Sequence, residues 1–221
     1  MNAWQRFRSH LAYHAVQLGV LALLAGAVLA GFNHMTAVEI AKRQNEDLNN
    51  SIGQVVPASM HDNDMVHDVI TVPNGHGGRI KVYRARMGQK VTAVAYKFVA
   101  HGYAPSPITL IMGVDPNGHI LGVRVLSLSE TPGLGDKIQA KKTHWIFAFN
   151  GKSLHNPGAK GWHVKKDGGD FDQFTGATIT PRGVVKGVYA ALQFFAAHRP
   201  LLIHGQTPAS ANLMHPMQGG E

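Results

Sequence analysis

The sequence predicts an α+β fold: one domain with a largely antiparallel sheet and flanking helices, preceded by a single N-terminal transmembrane helix. Three observations carry that prediction. No Asp, Glu, Lys or Arg occurs from Ser9 to Val38, and the stretch from Val16 to Phe32 is almost wholly apolar. Alternating runs between Arg79 and Leu128 are broken by turn residues at Gly88-Gln89 and at Asp115-Pro-Asn-Gly118. After Pro181, apolar residues return at Val184, Val185, Val188, Leu192 and Phe195, which is helical spacing.

The N-terminal run, extended by Leu11, Ala12 and Tyr13, reaches the roughly 20 residues that span a bilayer. Trp4, Phe7 and Tyr13 suit one membrane interface and Phe32 the other. Two other readings compete. A signal peptide could be cut after Ala30, although the apolar core is long for one. A buried core helix is the weaker reading, because none of the segment's faces is polar. A retained anchor over 11–33 is the favoured reading. Arg6 and Arg8 precede it and Lys42 and Arg43 follow it, so the positive-inside count is nearly tied. The amino terminus and the lack of early acids tilt residues 1–10 toward the cytoplasm and the rest of the chain toward the outside.

Glu39 to Ser51 reads as a polar helix continuing out of the membrane, within a helical connector over 34–70. Val72 to Gly78 is turn chemistry. The runs RIKVYRARMG and KVTAVAYKFVAHGY form one hairpin, and PITLIMGVDPNGHILGVRVLSL forms a second. DKIQAKKTHWIFAF, Asp136 to Phe149, suits a short helix, and GKSLHNPGAKGWHV is loop. Thr180 is placed to cap the last helix, with Pro181 at its first position. Beyond Pro200 the Pro-, Gly- and His-rich sequence predicts a flexible tail over 200–221.

Composition removes several function classes. With no cysteine, disulfides, thiolate zinc sites, c-type haem attachment and cysteine-ligated iron–sulfur clusters are excluded. Fourteen histidines are many, yet no HExxH pair occurs. His10 and His14 lie one turn apart only at the start of the apolar helix, so solvated or interfacial histidines are the better reading. A net charge of +8 suits nucleic acid, anionic lipid or an acidic redox partner. No recognition-helix pattern, RNP-type motif or arginine-rich arm is present, which makes nucleic acid the weakest of these.

Two stretches carry candidate chemistry. SETPGLGDKI, Ser129 to Ile138, follows the second hairpin, where a loop on a rigid sheet presents groups to a ligand. Pro132, Gly133 and Gly135 permit close backbone approach to a flat ring, and Glu130 and Thr131 offer hydrogen bonds. On spacing alone, an ordinary sharp turn ending in an Asp136 cap is the stronger reading. DQFTGATITPRG, Asp172 to Gly183, sets glycine-flanked hydroxyls before a helix whose first N–H groups are unpaired. That suits an anionic oxygen ligand such as phosphate, and equally suits simple capping of the helix. It is neither a Walker motif nor a GxGxxG turn.

DQFTGAT resembles the D-x-x-(S/T)-G-A-T signature of proteins that receive covalent flavin mononucleotide from a flavin transferase. SETPGLGDKI, the run from Trp162 to Arg182 (WHVKKDGGDFDQFTGATITPR) and the single N-terminal span resemble the G subunit of the Rnf (Rsx) electron-transport complex. The likeness runs from the anchor to about His198. A sibling family, the C subunit of the sodium-translocating NADH:quinone reductase, shares the flavin module, but TGATITPRGVV is closer to the Rnf member.

The resemblance implies an FMN-binding domain over 71–199 on the periplasmic side of the cell inner membrane. It implies FMN joined by a phosphoester to Thr178, a delivering turn of Thr175, Gly176 and Ala177, and a transferase signature that includes Asp172. Glu130, Thr131, Leu134 and Gly135 are expected near the isoalloxazine ring. The chain would act as one electron relay in a membrane complex between reduced ferredoxin and NAD, coupled to sodium or proton movement, without turnover of a small molecule on its own. The alternatives are the quinone-reductase protein and a flavin-free periplasmic binding module.

Overall fold

A computed structural model describes residues 11–74 and 77–205. The aromatic and arginine positions before residue 11, Gly75 and His76 of the first turn, and the tail from residue 206 lie outside the described residues. The chain divides into two units, Met1–Asp47 and Leu48–Glu221.

Helix α1 runs over Leu11–Gly53. Its segment Tyr13–Asn33 is 21 residues long and has no buried part, and at 1.5 Å per residue it spans about 31 Å. Leu18, Leu23 and Leu29 are each exposed by two-thirds or more, on a helix apolar all round. A helix of that length and character is satisfied by lipid. Polar sequence then continues the same helix, with Arg43 paired to Glu39 one turn earlier at 3.2 Å. The helix ends at Gly53, so the stretch 54–68 is not the helical connector expected; it holds one short 3-10 turn at Ala58–Met60.

Five strands follow: β1 (Val69–Pro73), β2 (Arg79–Met87), β3 (Lys90–Ala100), β4 (Ile108–Val114) and β5 (Ile120–Ser127). They form an antiparallel meander in sequence order. Both hairpins predicted from alternation are present. The edge strand β1 is not among the strands expected, being only five residues before a turn.

Period-two alternation sends neighbouring residues to opposite faces. Val82, Val94, Tyr96, Leu110 and Met112 join one buried cluster. Tyr83, Ala85, Ala93, Ala95 and Ile111 join the other, together with Ile52, Val55, Val56 and Met65. Gly113 and Gly122 are register partners, and the backbone of Val55 lies against both. A side chain at Gly113 would collide with the carbonyl of Val55, and one at Gly122 would crowd the same backbone.

Helix α2, Ile179–His204, covers the first face with Val184, Val185, Val188, Leu192 and Phe195, the periodic set read from the sequence. Gly183 and Gly187, one turn apart, let it press onto the end of β3; a Cβ at Gly183 would collide with the carbonyl oxygen of His101. The fully buried Tyr96 hydroxyl donates to the carbonyl of Ala191 at 2.7 Å and locks strand to helix.

Three expectations are corrected. Asp136 to Phe149 is not an α-helix but two 3-10 turns, Gly135–Ile138 and Trp145–Phe149. Between them Thr143 donates its hydroxyl to the carbonyl of Lys137 and accepts from the N–H of Trp145, which competes with helical pairing. The last helix continues through Pro200 to His204, because Leu202 beyond the proline is buried, and Gly205 ends it in a left-handed cap. Finally, Thr178 occupies the N-cap position, so Thr180 and Pro181 fall inside the first turn.

Candidate functional site

A cavity of about 330 Å³ opens where the loop after β3, the segment after β5 and the N-terminus of α2 converge. Among the predicted site residues it is lined by Glu130, Thr131, Leu134, Gly135, Gly176, Ala177 and Thr178. Thus the two stretches singled out in the sequence, Ser129–Ile138 and Asp172–Gly183, form opposite rims of one site. Thr175 and Asp172 do not line it, and Asp172 is exposed. Tyr103, Ile179 and Thr180 complete the wall and are additions to the expected set. Tyr103, 73% exposed, comes from a loop whose only sequence signal was a lone aromatic among small residues and prolines.

Sequence chemistry explains the second rim. Phe174 to Ala177 closes a turn through the N–H of Ala177 to the carbonyl of Phe174, 3.1 Å, with Gly176 at φ +79°. That positive φ in the third position is what a type II turn requires, and glycine supplies it without strain. The turn hangs from a rigid base. Trp145 donates its indole N–H to the carbonyl of Asp172 at 2.7 Å, and Trp145, Phe149, Trp162 and Phe171 form an aromatic cluster beneath. Arg182 in α2 reaches back with two hydrogen bonds to Asp167, at 2.6 and 2.9 Å. Those bonds hold the Asp167 carboxyl below its ordinary value. Asp172 itself forms an exposed ion pair with Lys165 at 2.6 Å.

The first rim is wired internally. Glu130 is only 6% exposed; one carboxyl oxygen accepts the hydroxyl of Thr180 at 2.6 Å and the other the N–H of Ala104 at 3.1 Å. Gly135 must be glycine, since a Cβ there would strike both Glu130 and the Thr180 hydroxyl. Asp136, also buried, accepts the N–H of Gly133 at 2.7 Å and faces Lys142 at 3.4 Å. Thr180 therefore does not cap the helix: its hydroxyl serves a carboxyl group fifty residues away in sequence.

That leaves Thr178. It is half-buried on the cavity wall and, although at the N-cap, its αR backbone makes no side-chain capping bond. The helix N–H groups beside it have no intrahelical acceptor and carry partial positive charge. A hydroxyl spared from capping, unpaired amides, flanking glycine and alanine, and the apolar Leu134 opposite suit a ligand with an anionic phosphate end and a flat apolar body.

A family model described as an FMN-binding domain matches residues 102–193, a span that takes in both rims. The chain is 47% identical over 186 residues to the G subunit of an ion-translocating oxidoreductase complex from Cereibacter sphaeroides, covering 84% of each chain. It is 46% identical over 193 residues to the protein of that name from Stutzerimonas stutzeri, covering 87% of this chain and 84% of that one. The Shewanella loihica protein of the same name is 39% identical over 206 residues, 91% of this chain and 96% of its own. A solved structure of the C subunit of the Na(+)-translocating NADH-quinone reductase from Parabacteroides distasonis aligns at a TM-score of 0.48 with 20% identity, over 72% of this chain and 94% of that one. With such identity to the first three across more than four-fifths of its length, and an FMN-binding match laid over both rims of the cavity, the chain belongs to the G-subunit family of ion-translocating oxidoreductase complexes.

Proposed function

We propose that this chain is the membrane-anchored electron-transfer subunit of an Rnf-type complex, carrying FMN as a phosphoester on Thr178. The observation that supports this reading is the division of labour between two threonines two residues apart. The Thr180 hydroxyl is buried and committed to Glu130, whereas Thr178 lines the cavity with no capping role. Thr175, outside the cavity lining, is the poorer acceptor.

In this reading Thr178 Oγ1 holds the phosphate, and the first N–H groups of α2 stabilise its remaining charge. Leu134, Gly135, Gly176 and Ala177 give the ring a close, apolar seat, and Tyr103 shields it at the mouth. Asp172, exposed with its Lys165 partner, is open to recognition by a flavin transferase. FMN when bound supplies the one- and two-electron chemistry that a chain without cysteine cannot supply itself. Residues 11–33 anchor the chain in the inner membrane, with the flavin domain on the periplasmic side. A tether there keeps a soluble cofactor from diffusing away. The chain has no turnover of its own and works through the other subunits of the complex.

The test is to produce the full chain with and without a flavin transferase and view the denatured band under ultraviolet light. Fluorescence only with the transferase is expected. A dark band in both, or flavin released on denaturation, would contradict covalent attachment.

A further inference from the structure

A second cavity, about 800 Å³, shares no lining residue with the first. It lies at the other end of the sheet. The β2–β3 and β4–β5 turns, at Gln89–Lys90 and Pro116–Asn117, share that end of the meander, and the last turn of α2 closes it. The β3–β4 loop and the N-terminus of α2 belong to the flavin cavity. Along α2 the nearest lining residues of the two cavities, Thr180 and Arg199, are 19 residues apart, about 28 Å.

Its walls are cationic. Arg84, Arg86, Lys90 and Arg199 line it, and no Asp or Glu does among the described residues. Asp68, behind the wall, is shared by both Arg84 and Arg86, so one carboxylate answers two guanidinium groups. Arg199 donates to a neutral acceptor, the carbonyl of Pro116 at 2.7 Å. Clustered like charges around a partly apolar floor of Val91 and Ile203 repel one another until an anionic occupant offsets them.

We propose that this cavity is a docking site for an acidic polypeptide segment of a neighbouring subunit. The inference rests on the reading that the chain works inside a complex. Charge complementarity selects a carboxylate-rich partner, and apolar side chains between the cations select a polypeptide over a small hydrated anion. The position favours another protein of the complex, because a partner seated there holds the domain while leaving the flavin end open.

The test uses the full tagged chain in native membranes. Lys90→Glu with Arg199→Glu reverses two cations without touching the Asp68 pairs. Lys160→Glu with Lys186→Glu makes the same charge change outside both cavities. Retained covalent flavin reports an intact domain in each. Partner proteins of the complex, identified by mass spectrometry, are expected to fall about tenfold or more with the cavity variant and to hold with the control. Equal recovery from both variants would overturn the proposal. Should the unaltered chain bring down no partner protein, the reading of the chain as part of a complex fails instead. A photo-crosslinker replacing Gln89 works even if the charge reversal unfolds the domain. An adduct on an Asp- or Glu-rich segment of another protein of the complex is expected, and adducts on phospholipid alone, or none, would overturn the assignment.

Discussion

Between Glu130 and Asp136 the first rim of the 330 Å³ cavity turns its polar groups inward; between Thr175 and Thr178 the second rim leaves them outward. On the first, both carboxyl groups are buried and each accepts hydrogen bonds from its surroundings. On the second, the turn is held from below by backbone carbonyls and aromatic rings, and its hydroxyls are spared that work. The contrast teaches that a charged residue facing a cavity can be architecture, while the plain threonine beside it keeps an uncommitted hydroxyl. Glu130 is a residue that the resemblance places near the isoalloxazine ring. Its burial and its two partners make it first a clamp that fastens the β5 segment to α2 and to the loop after β3.

Breaking the outward rim should give the largest effect. Thr178→Ala removes the acceptor oxygen and is expected to abolish flavin attachment, read as a dark denatured band beside a fluorescent unaltered control. Thr180→Ala is expected to keep attachment but to strand a buried carboxyl oxygen, costing about 1–3 kcal/mol in thermal or denaturant unfolding. A fluorescent Thr178→Ala band would erase the distinction between the rims.

The inward rim should respond in stability. Glu130→Ala leaves both the Thr180 hydroxyl and the Ala104 N–H without an acceptor, and a loss of about 2–4 kcal/mol is expected. Glu130→Gln keeps the shape, and its amide oxygen can still accept from one of the two donors, so the loss should fall near ~1 kcal/mol. Equal melting temperatures for Glu130→Ala and the unaltered chain would show that the clamp is not structural.

How far the sequence revealed this contrast depends on the distance between partners. The two hairpins were legible because alternation and turn residues are local signals, and α2 because its apolar spacing is. The DQFTGAT turn was legible as a motif. The Thr180–Glu130 bond was not, because it joins residues fifty apart, and a local reading of Thr180 defaults to a cap. The Trp145 support of Asp172 and the placement of Tyr103 are likewise long-range. Pro200 read as a stop, whereas burial of Leu202 outweighs the one helical hydrogen bond that proline forgoes. The basic cavity draws cations from three separate segments, so only the net charge hinted at it.

The smallest effect should come from the exposed pair that braces the second rim. Arg182 holds the Asp167 carboxyl below its ordinary value, so the pair's contribution is present above the usual carboxylate range and fades as pH falls through the lowered value. Asp167→Asn should therefore differ from the unaltered chain only at neutral pH, with the two melting curves converging in acid. Divergence that grows on acidification would have the wrong sign for this pair.

The central claim, that the uncommitted hydroxyl of the outward rim is the point of attachment, is tested most directly by mapping the adduct. The full chain made with its flavin transferase is digested, and the flavin-bearing peptide is sequenced by tandem mass spectrometry. A flavin phosphate located on Thr178 is the predicted result; one located on Thr175 or Thr180 would contradict the account.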